Sequence, residues 1–205
     1  MALPSKRREM SDMKFFLLWA CGLKKPFSST TKKERLTLYR HVAGKKNVVE
    51  IGVYHGVNTK KFCQLMDPYG VLYAVDPFFK GRAGFSTMKV IAHYEVGKCE
   101  NRNIKWMECL GHEAARIHAS ESSVPIDFIF IDGDHSYAGI KSDWEAWRPL
   151  LSSGCIIALH DSEVSPNTSA NADTGSVIYT KEVISNDVGL KKLEVVDSLS
   201  VFERI

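Results

Sequence analysis

Two acidic residues, each at the end of an apolar run, point to a metal site. Asp132 and Asp161 both follow stretches that are almost entirely apolar. If these stretches are neighbouring strands, the carboxylates lie about 4.8 Å apart in backbone, at the edge where ligands enter α/β sheets. Two carboxylates that close repel each other unless a proton or a cation, such as a divalent metal, lies between them. The acids could instead only cap the segments that follow, but the nearby His135 and His160 favour the metal site.

A glycine-containing turn after an earlier apolar run indicates a nucleotide site. Gly52 lets the backbone turn sharply towards a ligand, and Gly56 leaves room at the start of the next helix, whose free N–H groups favour an anion. Asp76 ends the following strand, where a carboxylate can bind both hydroxyls of a ribose. Tyr54 stands where a dinucleotide fingerprint has its second glycine, which disfavours NAD. The alternative is a plain strand–helix turn with a capping aspartate.

The elements that position these residues are short apolar strands that alternate with helical stretches. The predicted strands are Val48–Gly52, Val71–Asp76, Ile104–Cys109, Ile126–Asp132, Gly154–His160, Lys192–Val196 and Leu199–Arg204. The predicted helices are Lys32–Val42, Asn58–Met66, Ser86–Val96, His112–Ala119, Tyr137–Trp147 and Val177–Ser185. This alternation predicts a doubly wound, Rossmann-like α/β fold with a mostly parallel seven-stranded sheet. The two-residue turn between the last two strands predicts a C-terminal antiparallel hairpin.

The spacing E-x-G-x-x-x-G that starts at Glu50 resembles motif I of class I S-adenosylmethionine (SAM)-dependent methyltransferases. The resemblance covers residues 47–205, including the terminal hairpin, which is typical of that fold. It implies SAM as the cofactor, with its methionine portion near the glycine turn, its ribose near Asp76 and its adenine near the residues after the third strand. The residues that it implies for cofactor binding are Glu50, Gly52, Tyr54, Gly56, Asn58, Thr59, Asp76, Gly111, His112 and Asp132.

The run D-G-D-H-S-Y from Asp132, with the L-H-D that ends at Asp161, resembles the small-molecule metal-dependent O-methyltransferases. That group includes macrolide sugar O-methyltransferases and proteins labelled cephalosporin hydroxylase-like. The resemblance implies Asp132 and Asp161 as ligands of a divalent metal, Mg²⁺ or Mn²⁺, which lowers the pKa of a substrate hydroxyl. His160 stands where the group often has an acid. It is therefore either a third ligand, which would suit manganese, iron or zinc better than magnesium, or a support that faces away.

Methylation of a hydroxyl also needs a base. His135 stands where catechol-type relatives have a catalytic lysine, and an unperturbed imidazole pKa of about 6.5 suits proton abstraction from a metal-bound hydroxyl. Asp134 is the alternative base, because the sugar-modifying relatives use an acid there. Either residue could instead only orient its loop through a hydrogen bond.

Charge is distributed unevenly along the chain. The first 46 of the 205 residues hold twelve Lys and Arg against three Asp and Glu, and the remaining 159 hold fifteen against twenty-one. We interpret residues 1–46 as a basic helical segment that forms a lid or a homo-oligomer contact, ahead of a methyltransferase domain at 47–205. The longest apolar run, Phe15–Cys21, is far shorter than the roughly 20 residues of a membrane span. Five scattered cysteines without a C-x-x-C indicate a reducing, cytoplasmic location.

Together these features predict a metal-dependent O-methyltransferase that acts on a hydroxylated small molecule, such as a sugar, a polyketide or a phenol. The N-terminal segment and the polar loop Ser162–Ser176 would shape the acceptor site. One alternative is a protein that binds or modifies nucleic acid through its basic segment, but no N-P-P-Y or D-P-P-Y follows the fourth strand. Another is a methyltransferase-like domain that binds SAM without turnover. A dehydrogenase is disfavoured by Tyr54.

Overall fold

A computed structural model describes residues 6–100, 103–122 and 124–205. Two helices, α1 (Lys6–Ala20) and α2 (Lys32–Val42), precede the sheet. The strands are β1 (Asn47–Ile51), β2 (Val71–Val75), β3 (Ile104–Met107), β4 (Ile126–Ile131), β5 (Leu151–Leu159), β6 (Leu190–Val196) and β7 (Leu199–Arg204). The remaining α-helices are α3 (Val57–Leu65), α4 (Thr87–Val96), α5 (Gly111–Glu121), α6 (Tyr137–Trp147) and α7 (Gly175–Glu182).

The seven strands form one sheet in the order β3-β2-β1-β4-β5-β7-β6. The first five are mutually parallel, and β7 pairs antiparallel with both β5 and β6. The predicted doubly wound fold and its C-terminal hairpin are therefore confirmed. The strand order reverses between β1 and β4. The chain first builds the sheet outwards from β1 to β3 on one side, and then continues from β4 on the other side. Ligands bind at such a switch point in open α/β sheets.

Strand β5 begins earlier than the sequence predicts, at Leu151 instead of Gly154. The Ser-Ser-Gly sequence looks like a turn, yet the hydroxyl of Ser152 donates to the carbonyl of Ile126 and extends the pairing with β4. The register of the β4–β5 pairing shifts between Ile126 and Phe128, so the additional residues of β5 form an irregularity in that strand. The carboxyl end of β5 is unaffected, so the residues that follow it keep their predicted place.

The central strands are buried on both faces because helices cover both. Ile129 and Ile131 of β4 face one apolar cluster, which contains Trp144 and Trp147 of α6. Alternate residues of the same strand face a second cluster, which contains Leu38 of α2 and helix α3. Helix α2 is thus part of the core of the domain.

Helix α1 packs through aromatic side chains on α4 and on the turn between β1 and α3. Phe15 stacks on His55 with ring centroids 4.7 Å apart, and Trp19 contacts Tyr94 edge-on at 5.3 Å. His55 itself stacks on Tyr54 at 3.9 Å. The N-terminal helix therefore covers the turn in which a cofactor is predicted to bind.

Across the described ranges, no helix is both long and apolar enough to cross a membrane.

Candidate active site

The turn after β1 needs glycine because chain segments approach it closely. Gly52 has φ +93°, and a Cβ atom there would lie 2.0 Å from the carbonyl oxygen of Asp132. Gly56 has φ +73° at the N-terminus of α3, where a Cβ would lie 3.2 Å from the carbonyl oxygen of Ala92. Because neither glycine has a side chain, neighbouring segments of the protein can pack closely against the turn. The contact at Gly52 also joins the predicted nucleotide turn directly to the predicted metal loop.

Asp76 holds this turn in place. One of its carboxylate oxygens accepts hydrogen bonds from the backbone N–H groups of Val53 and Tyr54, both at 3.0 Å, and the other accepts from Phe78 at 2.8 Å. Burial raises the pKa of Asp76, and the three N–H groups partly offset that effect. Tyr54 adopts a left-handed conformation with φ +54°, which is uncommon for a residue other than glycine. Asp76 therefore orders the turn and lies at the strand end where a ribose is expected.

Glu50 is a buried carboxylate without a hydrogen bond of normal geometry. It is 1% exposed, and among the described residues neither carboxylate oxygen has such a bond, although Thr59 lies near enough to interact. Burial raises its pKa well above the ordinary value, the neighbouring Thr59 opposes the shift, and the charges of Asp132 and Asp76 add to it. An unpaired buried carboxylate is costly. Its two oxygens fit a cationic ligand group such as the α-ammonium of SAM.

Of the other residues predicted for the cofactor, Asn58 contacts the N-terminal segment. Its amide donates to the hydroxyl of Ser28 at 3.2 Å and accepts from Tyr39 at 3.4 Å. The hydroxyl of Thr59 is buried without a hydrogen-bond partner of normal geometry. Asn58 therefore connects the start of α3 to the N-terminal segment, whereas the Thr59 hydroxyl and the Glu50 carboxylate have no hydrogen bond of normal geometry.

Gly111 and His112 begin α5, and a carboxylate that the sequence analysis missed lies against them. A Cβ on Gly111 would lie 2.5 Å from Oδ1 of Asp143, and the backbone N–H of His112 donates to the same carboxylate. Burial raises the pKa of Asp143 to about 6. In the sequence, Asp143 is one of two acids within a helix, the other being Glu145, so no local pattern distinguishes it.

Three side chains meet where β4 and β5 end. The ligand atoms of Asp132, His135 and His160 all lie within 4.8 Å of one another. Nδ1 of His160 lies 2.7 Å from Oδ1 of Asp132, and Nε2 of His135 lies 3.5 Å from the same oxygen. Searched over the described residues, this is the group that could hold a metal ion. One carboxylate with two imidazoles suits manganese, iron or zinc better than magnesium.

The two histidines differ in exposure and charge environment. The His160 side chain is 2% exposed and that of His135 is 35% exposed, so only His135 is open to an incoming molecule. Burial alone would lower the pKa of His160, but the surrounding carboxylates, Asp132 first, outweigh it and raise the pKa to about 10. Burial would raise the pKa of Asp132, yet the charges of both histidines and their hydrogen bonds hold it below the ordinary value.

Asp161 lies at the margin of this group. Its Oδ2 is 3.8 Å from Nε2 of His135, and its Oδ1 is 3.8 Å from Nε2 of His160. Oδ1 also lies 2.9 Å from the hydroxyl oxygen of Ser198, whose proton it shares with Glu34. Asp161 has φ +48°, a left-handed conformation. Because β4 and β5 are adjacent and parallel, Asp132 and Asp161 do follow neighbouring strands. Whether Asp161 binds the metal stays a prediction.

Asp134, the alternative base, is exposed and accepts a hydrogen bond from the backbone N–H of Ser136 at 2.9 Å. Ser136 in turn caps α6 by accepting from Gly139. Asp134 thus makes a hydrogen bond that orients its loop, which is the alternative to a catalytic role that the sequence leaves open. His135 is the candidate base that lies within the three-residue group, so it remains our first choice.

Two further residues that sequence reasoning missed support this group from opposite ends of the chain. Glu34 of α2 is fully buried, and its Oε2 lies 3.5 Å from Nε2 of His160. The backbone N–H and hydroxyl of Ser198, in the β6–β7 turn, both donate to Oε1 of Glu34, at 2.9 and 2.8 Å. The sequence shows Glu34 only as part of the capping pattern T-x-x-E with Thr31, a role that it also performs.

A family model described as a methyltransferase domain matches residues 49–162, more than half of the chain. The chain belongs to this methyltransferase family. The match begins in β1 and ends just after Asp161, so it includes the glycine turn and the three-residue group. Helices α1 and α2, including Glu34, lie outside it, as does the C-terminal hairpin.

A curated relative, the uncharacterized protein y4gI of Sinorhizobium fredii, is 26% identical over 128 residues. The match covers 60% of this chain and 14% of that protein, so the chain spans about a seventh of the relative's length. An O-methyltransferase from Bacillus cereus in complex with SAH is similar in structure. Its TM-score is 0.65 at 19% identity, over 100% of this chain and 94% of that one.

CalS11, a TDP-rhamnose 3'-O-methyltransferase of calicheamicin biosynthesis, has a TM-score of 0.58 at 19% identity. The alignment covers 98% of this chain and 96% of that one. At such low identity these similarities show the fold alone. With the family match, they confirm the predicted class I methyltransferase fold.

Proposed function

We propose that this methyltransferase uses SAM and a divalent metal to methylate a hydroxyl of a small molecule, such as a sugar, a polyketide or a phenol. The observation that carries the proposal is the meeting of Asp132, His135 and His160 within 4.8 Å, beside the glycine turn. A methyltransferase that needed only to bind SAM would have no use for two histidines and a carboxylate at this edge of the sheet.

The proposed cofactor fits the residues of the turn. Glu50 offers two unpaired, buried oxygens to the α-ammonium, and Asp76 offers its carboxylate to the ribose hydroxyls. Gly52 brings the turn onto the backbone of Asp132. A cofactor that occupied the turn would thus have its reactive end beside the three-residue group.

The proposed metal fits the donors of that group. Asp132 and His160 would hold it, with Asp161 as a further ligand, and when bound it would act as a Lewis acid that lowers the pKa of the acceptor hydroxyl. His135, the exposed member, would receive the hydroxyl proton at its Nε2 atom. Asp132, fixed by His160 at 2.7 Å, would keep its negative charge beside the imidazolium formed in this way.

Two segments outside the glycine turn would exclude water and shape the acceptor site. Helix α1 covers the turn through Phe15, and α7 is bonded to the metal loop because Ser176 donates from its N–H to the carbonyl of His135 and from its hydroxyl to that of Asp161. The loop 162–174 connects this anchored helix to β5, and we propose that it acts as a lid over the acceptor.

The test is a methyl-transfer assay with radiolabelled SAM and a panel of acceptors. The panel contains catechol, TDP-rhamnose, a primary amine and total RNA, each with EDTA, Mg²⁺, Mn²⁺ or Co²⁺. We expect methyl ether formation on a hydroxyl acceptor, only with a divalent ion, and more with Mn²⁺ or Co²⁺ than with Mg²⁺. Transfer to the amine or RNA alone, or transfer that is undiminished in EDTA, would overturn the proposal.

A further inference from the structure

We propose that Glu34 is a positioning residue of the metal centre, which holds His160 in the tautomer whose Nδ1 atom can bind the metal. This inference rests on the proposed function, since it assumes that a metal binds between Asp132 and His160. It assigns a role in the centre to a residue of α2, outside the segment that matches the methyltransferase family.

His160 lies between two buried carboxylates, one at each ring nitrogen. Its Nδ1 is 2.7 Å from Oδ1 of Asp132, and its Nε2 is 3.5 Å from Oε2 of Glu34. A neutral imidazole has one N–H and one lone pair. Both nitrogens face a carboxylate, so each favours a proton, and a metal ion that bound between Asp132 and His160 would take the place of the proton on Nδ1. The remaining proton would then lie on Nε2, where it faces the negative charge of Glu34.

Glu34 is fixed well enough to impose this choice. Its Oε2 accepts from the backbone N–H of Thr31 at 2.6 Å, and its Oε1 accepts from the N–H and hydroxyl of Ser198. The side chain is 0% exposed. Three donors from two distant segments therefore hold a charged group that has no access to water, and its remaining acceptor capacity is directed at His160.

The arrangement has the elements of a carboxylate–histidine–metal relay. Ligating histidines usually donate their other N–H to a carboxylate or carbonyl, and loss of that partner typically costs about 10–100-fold in metal affinity. Nε2 is buried without a hydrogen bond of normal geometry, while the nearest fixed acceptor is Glu34.

The variant that tests this is Glu34→Gln, because glutamine keeps the size of the side chain and removes its charge. The Glu34 oxygen that faces His160 is also the one that accepts from Thr31, so an amide nitrogen there would donate to Nε2, favour the tautomer with the proton on Nδ1 and lose the capping bond. The matched control is Glu113→Gln. Glu113 is the capping-box glutamate of α5, as Glu34 is of α2, and it accepts from the backbone N–H of Leu110 at 3.0 Å. It is exposed, and we assign it no role at the metal site.

Co²⁺ binding to the full chain is measured by calorimetry and by visible absorption, with SAM affinity as a second readout. We expect Glu34→Gln to lower Co²⁺ affinity about 10–100-fold and change the Co²⁺ spectrum, with SAM affinity unchanged. The control should leave all three unaltered. Equal Co²⁺ affinity and spectrum in Glu34→Gln and the wild type would overturn the inference and leave the proposed function intact.

A measurement on the wild type covers the case in which Glu34→Gln does not fold. With Zn²⁺ bound, ¹H–¹⁵N correlation spectra report which nitrogen of His160 carries the proton. A proton on Nε2 and metal on Nδ1 supports the inference, and the reverse overturns it. If the wild type binds neither Co²⁺ nor Zn²⁺, the metal-dependent function fails and this inference fails with it.

Discussion

The cofactor side of the site, formed by Glu50, Gly52 and Asp76, and the metal side, formed by Asp132, His135 and His160, are held in different ways. Asp76 receives its hydrogen bonds from backbone groups no more than 23 positions away. On the metal side, His160 faces Glu34, which is bonded to a serine 164 positions further along the chain. The first is ordered within one β-α-β unit, and the second is assembled from both ends of the protein.

Because the two sides are held by different contacts, we expect that SAM binding and metal binding can be lost separately. Damage to the chain ends should weaken the metal side and leave SAM binding intact, whereas damage to the glycine turn should do the opposite.

Removal of the metal should have the largest effect. Incubation with EDTA, or the substitution Asp132→Asn, should lower turnover by about 10³-fold or more, because Lewis-acid stabilisation is worth several kcal/mol. SAM affinity of the EDTA-treated wild type, measured by calorimetry, should change less than about twofold, since Glu50 and Asp76, the proposed cofactor contacts, are not among the proposed metal ligands. Addition of Mn²⁺ should restore the EDTA-treated wild type but not the variant. A parallel loss of SAM affinity would show that the two sides are one unit.

His135→Ala should lower kcat by about 10²–10⁴-fold if His135 is the general base. The acidic limb of the pH–rate profile should disappear with it, and SAM affinity should be preserved. The comparison is Asp134→Asn, for which we expect near-normal turnover, because Asp134 orients its loop. The opposite pattern, with loss in Asp134→Asn alone, would make Asp134 the base.

Asp76→Ala should weaken SAM binding by about 1.5–3 kcal/mol, as expected for the loss of charge-assisted hydrogen bonds. Co²⁺ affinity should stay the same. Asp127→Ala is the matched control, because Asp127 accepts from the backbone N–H groups of Lys46 and Asn47 at the opposite end of β1. The control should lower stability without lowering SAM affinity. An equal effect of both variants on SAM binding would mean that general destabilisation, and not contact of Asp76 with the cofactor, causes the loss.

The smallest effect concerns the stack of Phe15, His55 and Tyr54. Burial lowers the pKa of His55 to about 4, although a hydrogen bond to the backbone of Phe27 opposes the shift. Because the folded pKa lies below the unfolded value of about 6.5, His55 contributes stability that is fully present above pH 6.5 and lost as the pH falls towards 4.

Phe at this position keeps the stack but cannot be protonated. The free energy of unfolding of His55→Phe, measured by urea denaturation, should therefore fall less than that of the wild type between about pH 6.5 and 4, by roughly 1–2 kcal/mol. Metal affinity at neutral pH should not change. Parallel pH curves for the two proteins would contradict the buried, neutral state of His55.

The sequence reveals the cofactor side better than the metal side for a physical reason. Gly52 and Asp76 belong to a pattern that one β-α-β unit contains entirely, so their spacing is visible in the sequence. Glu34 and Ser198 act through tertiary contacts, and each looks locally like something ordinary: a capping glutamate and a turn serine. Asp143 is hidden in the same way within α6. Parallel strands were identifiable because burial on both faces leaves them apolar throughout.

The left-handed backbone at Asp161 has a consequence for attempts to engineer the protein. A φ of +48° is tolerated by aspartate at a cost that glycine does not have, about 1–2 kcal/mol in L-residues generally. The substitution Asp161→Gly would remove this cost, but it would also remove the side-chain contact with Ser198 and the carboxylate beside His135. Screens on this scaffold should accordingly select for melting temperature and metal retention together.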